Sequence, residues 1–289
     1  MKLRVATYNI HKGVIRDFYG LRRVPRIHEL RARLHDLDAD LIFLQEVQGQ
    51  NEYHARRFEQ WPPEPQDQFL AKSPTLRHTF EAAYGRNASY LHGHHGNALL
   101  SRYTILGLEN RDVSDHALEK RGVLHCEIDL GERRVHCFVV HLGLLARSRG
   151  RQLQVLIDWI QREIPARAPV IIAGDFNDWR SQLNERLCEA VGVTEVFDVA
   201  RRRNRVSERV AHFVRDRLRV KDRAGEVVPQ VLPRMVRTAR TFPALVPWFR
   251  MDRIYTRGFR VEAAEVLRGP RWAQLSDHSP LIADLTLQP

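Results

Sequence analysis

Cysteine is scarce: only Cys126, Cys137 and Cys188 occur in 289 residues, and no two form a C-x-x-C pair. An odd number without that spacing supports neither a disulfide framework nor a cysteine zinc site, so all three are read as buried thiols. Long apolar runs are missing as well, and no stretch approaches the ~20 residues that a membrane span requires. Met1-Lys2-Leu3-Arg4 leads straight into Val5-Ala6-Thr7-Tyr8-Asn9-Ile10 without the apolar h-region and small-residue cleavage site of a secretory signal. A soluble, cytoplasmic protein is therefore expected. Lysine is rare too, five of the 46 basic residues, so the positive charge is carried by arginine. Arginine suits bidentate phosphate contact, although codon bias produces the same ratio.

With 43% hydrophobic and 28% charged residues the chain has the composition of a globular protein, not of a disordered or fibrous one. The net charge of +11 and pI near 10.1 point to a polyanion: nucleic acid, an anionic membrane surface or a phosphorylated small molecule. That charge is local. Residues 201–240 hold 13 Lys+Arg against 4 Asp+Glu, whereas the other 249 residues hold 33 against 31.

Apolar periodicity predicts strands at Leu3–Ile10, Leu41–Leu44, Ala98–Ser101, Ile105–Val113, Val170–Ala173, Met251–Thr256, Val261–Leu267 and Leu281–Leu287. Val123–Leu130 and Val135–His141 read as a hairpin around Gly131-Glu132-Arg133-Arg134. Helices are expected over Pro25–Leu37 and Ser148–Ile164, the latter with Leu153, Leu156, Ile157, Ile160 and Ile164 on one face and Pro165 at its end. Many strands with interspersed helices suggest sheets covered by helices.

Polar residues recur at the ends of these strands. Asn9, Glu46 and His141 each close one, Asp175 and Asn177 follow Val170–Gly174, Asp252 opens another, and Asp277-His278 precedes the last. Each alone has a bland explanation, since Asp, Asn and His often terminate strands. Together they form a chemical inventory. Glu46 and Asp277 are hard oxygen ligands for Mg²⁺ or Mn²⁺, with Asn9 adding a neutral oxygen. His141 and His278 offer acid–base groups, Asp252 a carboxylate to orient His278, and Asn177 a donor for a phosphoryl oxygen. This set suits metal-assisted phosphoryl transfer to water.

The ordered motifs Thr7-Tyr8-Asn9-Ile10, Leu44-Gln45-Glu46-Val47, Gly96-Asn97-Ala98-Leu99-Leu100-Ser101, Val140-His141-Leu142, Gly174-Asp175-Phe176-Asn177, Met251-Asp252-Arg253-Ile254 and Ser276-Asp277-His278-Ser279-Pro280 resemble the endonuclease/exonuclease/phosphatase superfamily with the deoxyribonuclease I-like fold. The resemblance implies an α/β four-layer α/β/β/α sandwich with the site at one end of its sheets. It also implies a single catalytic domain over 1–289, with the basic segment at about 201–240 as an insertion. By the same resemblance Glu46 is the principal metal carboxylate, supported by Asn9 and Asp277, and the cofactor is Mg²⁺ or Mn²⁺. His278 stands beside the scissile phosphate with Asp252 as its partner, His141 is the second histidine, and Asp175 and Asn177 handle water and a phosphoryl oxygen. Whether Asp175 or the Asp252/His278 pair activates water stays open. Asn97 lies in a motif and is read either as a substrate contact or as a loop hydrogen bond.

His141 stands where abasic-site endonucleases usually carry Tyr, and Phe176 departs from the Gly-Asp-Leu-Asn of inositol polyphosphate 5-phosphatases. The chain looks most like uncharacterised bacterial members on the neutral sphingomyelinase side. The implied activity is a metal-dependent phosphodiesterase, first of all a nuclease, with a phospholipid or small-molecule phosphodiesterase at a membrane surface as the alternative. The substrate partner is thus nucleic acid or a phospholipid headgroup, and no obligate protein partner is expected. Within the insertion, Val206, Val210, Val214 and Leu218 predict an amphipathic helix. Its other faces carry Arg205 and Arg209 as candidate phosphate contacts. Tyr90–Gly96, with three histidines, reads as a polar loop at the active-site rim, an added metal site being the alternative. Arg240–Phe249 reads as an apolar, proline-rich segment packed on the sheet, with contact to a lipid or base as the other reading.

Overall fold

A computed structural model describes residues 1–16, 22–75, 79–117, 119–131, 133–201 and 239–289. The chain begins with β1 (Lys2–Asn9), a small β2/β3 pair (Val14–Arg16, Arg23–Pro25), α1 (Ile27–Asp36), β4 (Leu41–Asn51), α2 (Glu52–Arg57) and α3 (Gln66–Ala71). Then come β5 (Glu81–Tyr90), β6 (Gly93–Ser101), β7 (Ile105–Asp112), β8 (Gly122–Asp129), β9 (Arg134–His141) and α4 (Ala146–Glu163). The last part contributes β10 (Val170–Asp175), α5 (Asn184–Val191), β11 (Thr194–Glu195), β12 (Asp252–Arg257), β13 (Phe259–Val266), a helical turn at Pro270–Ala273 and β14 (Leu281–Leu287).

Two six-stranded sheets result, ordered β13-β14-β1-β4-β6-β5 and β11-β12-β10-β9-β8-β7. In each, a central parallel pair (β1/β4 and β9/β10) is flanked by antiparallel neighbours. The two-residue period of the strands divides their apolar residues between two faces. Val5, Phe43 and Leu99 of the first sheet meet Val139, Ile171 and Ile254 of the second in the central layer. Tyr8, Ile42 and Leu44 turn outward, against Ile27, Leu30 and Leu34 of α1. Phe138, Val140 and Ile172 likewise meet Leu153, Leu156 and Ile160 of α4 and Leu187 of α5. Full burial of each such side chain stabilises the fold by roughly 2 kcal/mol, enough to hold α1 and α4 on their sheets. The fold is therefore a four-layer α/β/β/α sandwich of the deoxyribonuclease I type.

Three local expectations change. Helix α4 begins at Ala146, ahead of Ser148, whose hydroxyl donates to Asp115 (2.7 Å) and does not cap the helix. Strand β5 is unannounced in the sequence because it is an edge strand with much of its length exposed, which leaves no clean apolar alternation. His94 and His95 lie in β6, not in a loop, paired with Ser89 and Ala88 of β5. Cys126 and Cys137 are buried free thiols, as expected, whereas Cys188 is partly exposed. The predicted helix from Val206, with Arg205 and Arg209, lies outside the described residues. Among the described residues, no helix is long and apolar enough to cross a membrane.

Candidate active site

The ends of the central strands place the polar residues side by side. Asp175 is the register partner of His141 on β9 and of Asp252 on β12, so three strands of the second sheet present these groups in one row. Gly174 makes the row possible: at its φ of 150° an added Cβ would overlap the carbonyl oxygen of Val140 on the neighbouring strand. In the first sheet Asn9 ends β1, and Glu46 sits in a β4 bulge where the pairing with β6 shifts between Leu44 and Val47. Its φ of 57° breaks the alternation of the strand and re-aims the carboxylate toward the row. Ser276 ties the last motif to the first, its hydroxyl donating to the Asn9 carbonyl (2.7 Å) and accepting from the His278 N–H (3.2 Å).

His278 lies between two carboxylates. Its Nδ1 is 2.8 Å from Asp252 Oδ2, and its Nε2 is 3.7 Å from Asp175 Oδ2. Burial favours the neutral ring, but Asp252 and Asp175 outweigh it and raise the His278 pKa to about 10. Asp175 is itself raised, chiefly by burial and further by Asp252, with His278 opposing. Its Oδ2 accepts from Asn9 Nδ2 (3.2 Å) and its Oδ1 from the Asn177 N–H (2.9 Å). Asn177, at φ 50°, donates its own amide to the Leu142 carbonyl (2.9 Å). His141 Nε2 stands 3.6 Å from Asp175 Oδ2. Burial, reinforced by Arg121, holds this imidazole well below its ordinary pKa and hence neutral. Among the described residues, buried Asp252 Oδ1 has no hydrogen-bond partner.

On the other flank, Glu46 pairs with Lys12 (3.6 Å) and Asp277 with His11 (3.1 Å). Burial raises Glu46, but the nearby Lys12 and His11 outweigh it and hold the carboxyl below the usual carboxylate range. Asp277 is also lowered, burial being overcome by the His11 hydrogen bond and by His278. Two ionised carboxylates beside Asn9 form a hard donor set that fits a divalent cation such as Mg²⁺ or Mn²⁺. Asn9 as placed offers its nitrogen to Glu46 (3.4 Å) and Asp175, so presenting oxygen requires turning the amide over. Among the described residues the tightest triad of ligand atoms is a different one, Asp175, Asp252 and His278, all within 4.8 Å. Its imidazole is protonated near neutral pH and already bonded to Asp252, which suits proton handling better than ligation.

His11, Lys12, Arg121 and Thr241 escape the sequence reading. His11-Lys12 follow the first motif directly, which is the one available signal. Thr241 lies 11 residues before Asp252 and accepts its N–H (3.4 Å). Asn97, fully buried, donates to the carbonyls of Gly122 (2.9 Å) and Val139 (3.2 Å) and ties the two sheets together, which favours the hydrogen-bonding reading. Arg240–Phe249 is corrected. Thr241 and Ala244 are buried and the Phe242 ring lies 5.0 Å from that of His278, yet Leu245, Val246, Trp248 and Phe249 are exposed.

The model of the Endonuclease/Exonuclease/phosphatase family matches residues 6–278. The uncharacterized protein YbhP of Escherichia coli (strain K12) is 40% identical over 286 residues, covering 98% of this chain and 96% of that protein. Among solved structures, an endonuclease/exonuclease/phosphatase from Beutenbergia cavernae aligns at TM-score 0.66 with 19% identity, over 99% of this chain and 72% of that one. D. rerio TDP2 complexed with single-strand DNA product aligns at TM-score 0.55 with 16% identity, over 99% of both chains. The chain belongs to the endonuclease/exonuclease/phosphatase family of metal-dependent phosphoric ester hydrolases.

Proposed function

We propose that this protein is a divalent-metal-dependent phosphodiesterase, a single catalytic domain that cleaves a P–O bond by in-line attack of water. The line Asp252–His278–Asp175 carries the reading: an imidazolium held between two buried carboxylates, at the end of two sheets that hold it rigidly. The raised Asp175, oriented by Asn9 and the Asn177 N–H, takes the proton of the attacking water. His278, kept charged by Asp252, donates to a phosphoryl oxygen or protonates the departing one. Neutral His141 and Asn177 bound the same oxygen-binding space. Glu46 and Asp277 would hold a divalent cation, which would supply charge neutralisation on the phosphate, while Asn9 stays the donor to Asp175.

Two substrates compete. The nuclease reading rests on the basic segment 201–240 and on the likeness to D. rerio TDP2 complexed with DNA. The phospholipid reading is favoured by exposed Leu245, Val246, Trp248 and Phe249, which belong to the segment whose Phe242 ring meets His278. Plasmid nicking set against release of phospholipid headgroups, each with and without EDTA, decides between them. Failure to cleave any phosphodiester in the presence of Mg²⁺ or Mn²⁺ overturns the reading itself.

A further inference from the structure

Seven of the fourteen exposed large hydrophobic side chains among the described residues stand on three loops around the active-site mouth, which is a concentration and not a scatter. Leu144 (57% exposed) and Leu145 (60%) stand three and four residues after His141, the last residue of β9. Trp179 follows the Asp175–Asn177 turn. Leu245 (81%), Val246 and Trp248 (65%), with Phe249, precede Asp252.

The loops are joined and held. Trp179 and Phe249 stack edge to face at 6.2 Å between ring centroids. Arg149 lies over Trp179 at 5.0 Å and donates to the Gly143 carbonyl (3.4 Å) and to that of Leu144, linking the first loop to the second. In the third, Phe242 and Phe249 exchange backbone hydrogen bonds (3.2 and 2.9 Å), Trp248 donates to the Phe242 carbonyl (2.9 Å), and Ala244 donates to that of Asp277 (2.7 Å). Its apolar tip is thus fixed to the site at its base, although its side chains are uncovered.

The exposed charge of these loops is of one sign, Arg250 being paired with Glu195 (3.3 Å). Residues 142–147, 178–181 and 240–250 contain Arg147, Arg180, Arg240 and Arg250 but a single carboxylate, Asp178. Asp178 is buried and accepts the N–H groups of Gln182 (3.1 Å) and Leu183 (2.8 Å), while Arg147, Arg180 and Arg240 are exposed. Aliphatic tips such as Leu144, Leu145, Leu245 and Val246 have no π face on which a nucleobase could stack. Aliphatic side chains with Trp among them, framed by arginines and free of exposed acids, match the headgroup–acyl boundary of an anionic bilayer.

We propose that this rim docks the protein on an anionic phospholipid membrane and presents lipid headgroups to His278 and Asp175. The substrate part of this inference rests on the phosphodiesterase reading; the docking part does not. Flotation of the full chain with vesicles of equal parts phosphatidylglycerol and phosphatidylcholine tests it, alongside turnover of the soluble diester bis(p-nitrophenyl) phosphate. Wild type should float, and the double variant Leu245→Ser/Trp248→Ser should lose about tenfold or more in vesicle partitioning. Its turnover of the soluble diester and its melting temperature should not change. Leu144→Ser/Leu145→Ser, on a different loop, should weaken flotation in the same way. Absence of wild-type flotation, or flotation unaltered in both variants, overturns the proposal. So does loss of single-stranded oligonucleotide binding in the variants without loss of vesicle binding, which would assign the rim to nucleic acid. Flotation without cleavage of any phosphodiester, soluble or lipid, in the presence of Mg²⁺ or Mn²⁺ sinks the phosphodiesterase reading and leaves the docking surface standing.

Discussion

His278 Nδ1 meets Asp252 Oδ2 at 2.8 Å across 26 residues of sequence, and Asp252, together with Asp175 on the far side of the ring, keeps the imidazole charged against its burial. Removing the ring removes both the proton donor and the positive charge next to the phosphate. His278→Ala should lower turnover of a cleaved diester by on the order of 10² to 10⁴. Steady-state kinetics with bis(p-nitrophenyl) phosphate provide the measurement, and undiminished kcat would remove His278 from the mechanism.

The same bond sets the pH dependence. Against burial, Asp252 and Asp175 raise His278 from 6.5 to about 10. Its protonation therefore stabilises the fold fully below about pH 6.5, and that contribution is lost as pH rises through about 10. The melting-temperature gap between wild type and His278→Ala should be widest near pH 6 and narrow toward pH 10, whereas a constant gap would mean an uncharged ring. Activity should share that alkaline limit, and Asp252→Asn should move the limit down by about one pH unit or more.

On the acidic flank, Glu46 is held ionised beside Lys12 and His11. EDTA should abolish turnover, and Mg²⁺ or Mn²⁺ should restore it. Glu46→Gln keeps the volume but removes the charge, so the metal concentration for half-maximal activity should rise by about tenfold or more. A titration curve that superimposes on that of wild type would reassign the ligand.

Asn97 separates a structural role from a substrate contact. Asn97→Ala deletes two buried hydrogen bonds between the sheets and should cost about 1–3 kcal/mol in urea denaturation, with KM unchanged. Raised KM at unchanged stability would return the residue to the substrate.

Much of the architecture is legible in the linear chain because it is written in short periods. Leu3–Ile10 and Val170–Ala173 alternate between the two faces of their sheets, and Leu153, Leu156, Ile157 and Ile160 share one face of α4. Edge strand β5 has no such pattern, since much of it faces solvent, and the linear chain gives no signal for it. The site is legible as an inventory, because Asn9, His141, Asp175 and Asp252 sit at strand ends where a sheet can bring them together, although Glu46 lies within β4, which runs on to Asn51, and His278 lies in the segment before β14.

The linear order of residues sets which chemical groups are present and which strands carry them. Who faces whom is settled by the folded chain, because register and bulges act across distances that no local pattern encodes. The pairing of β10 with β9 and β12 lines Asp175 up with His141 and Asp252, and one bulge turns Glu46 toward them. The same long-range packing makes Asn97 a tie between sheets and leaves Trp248 in solvent, although both sit beside family motifs. Burial and charge, summed over these neighbours, then set His278 charged and His141 neutral, a distinction that two identical imidazoles in a sequence cannot express.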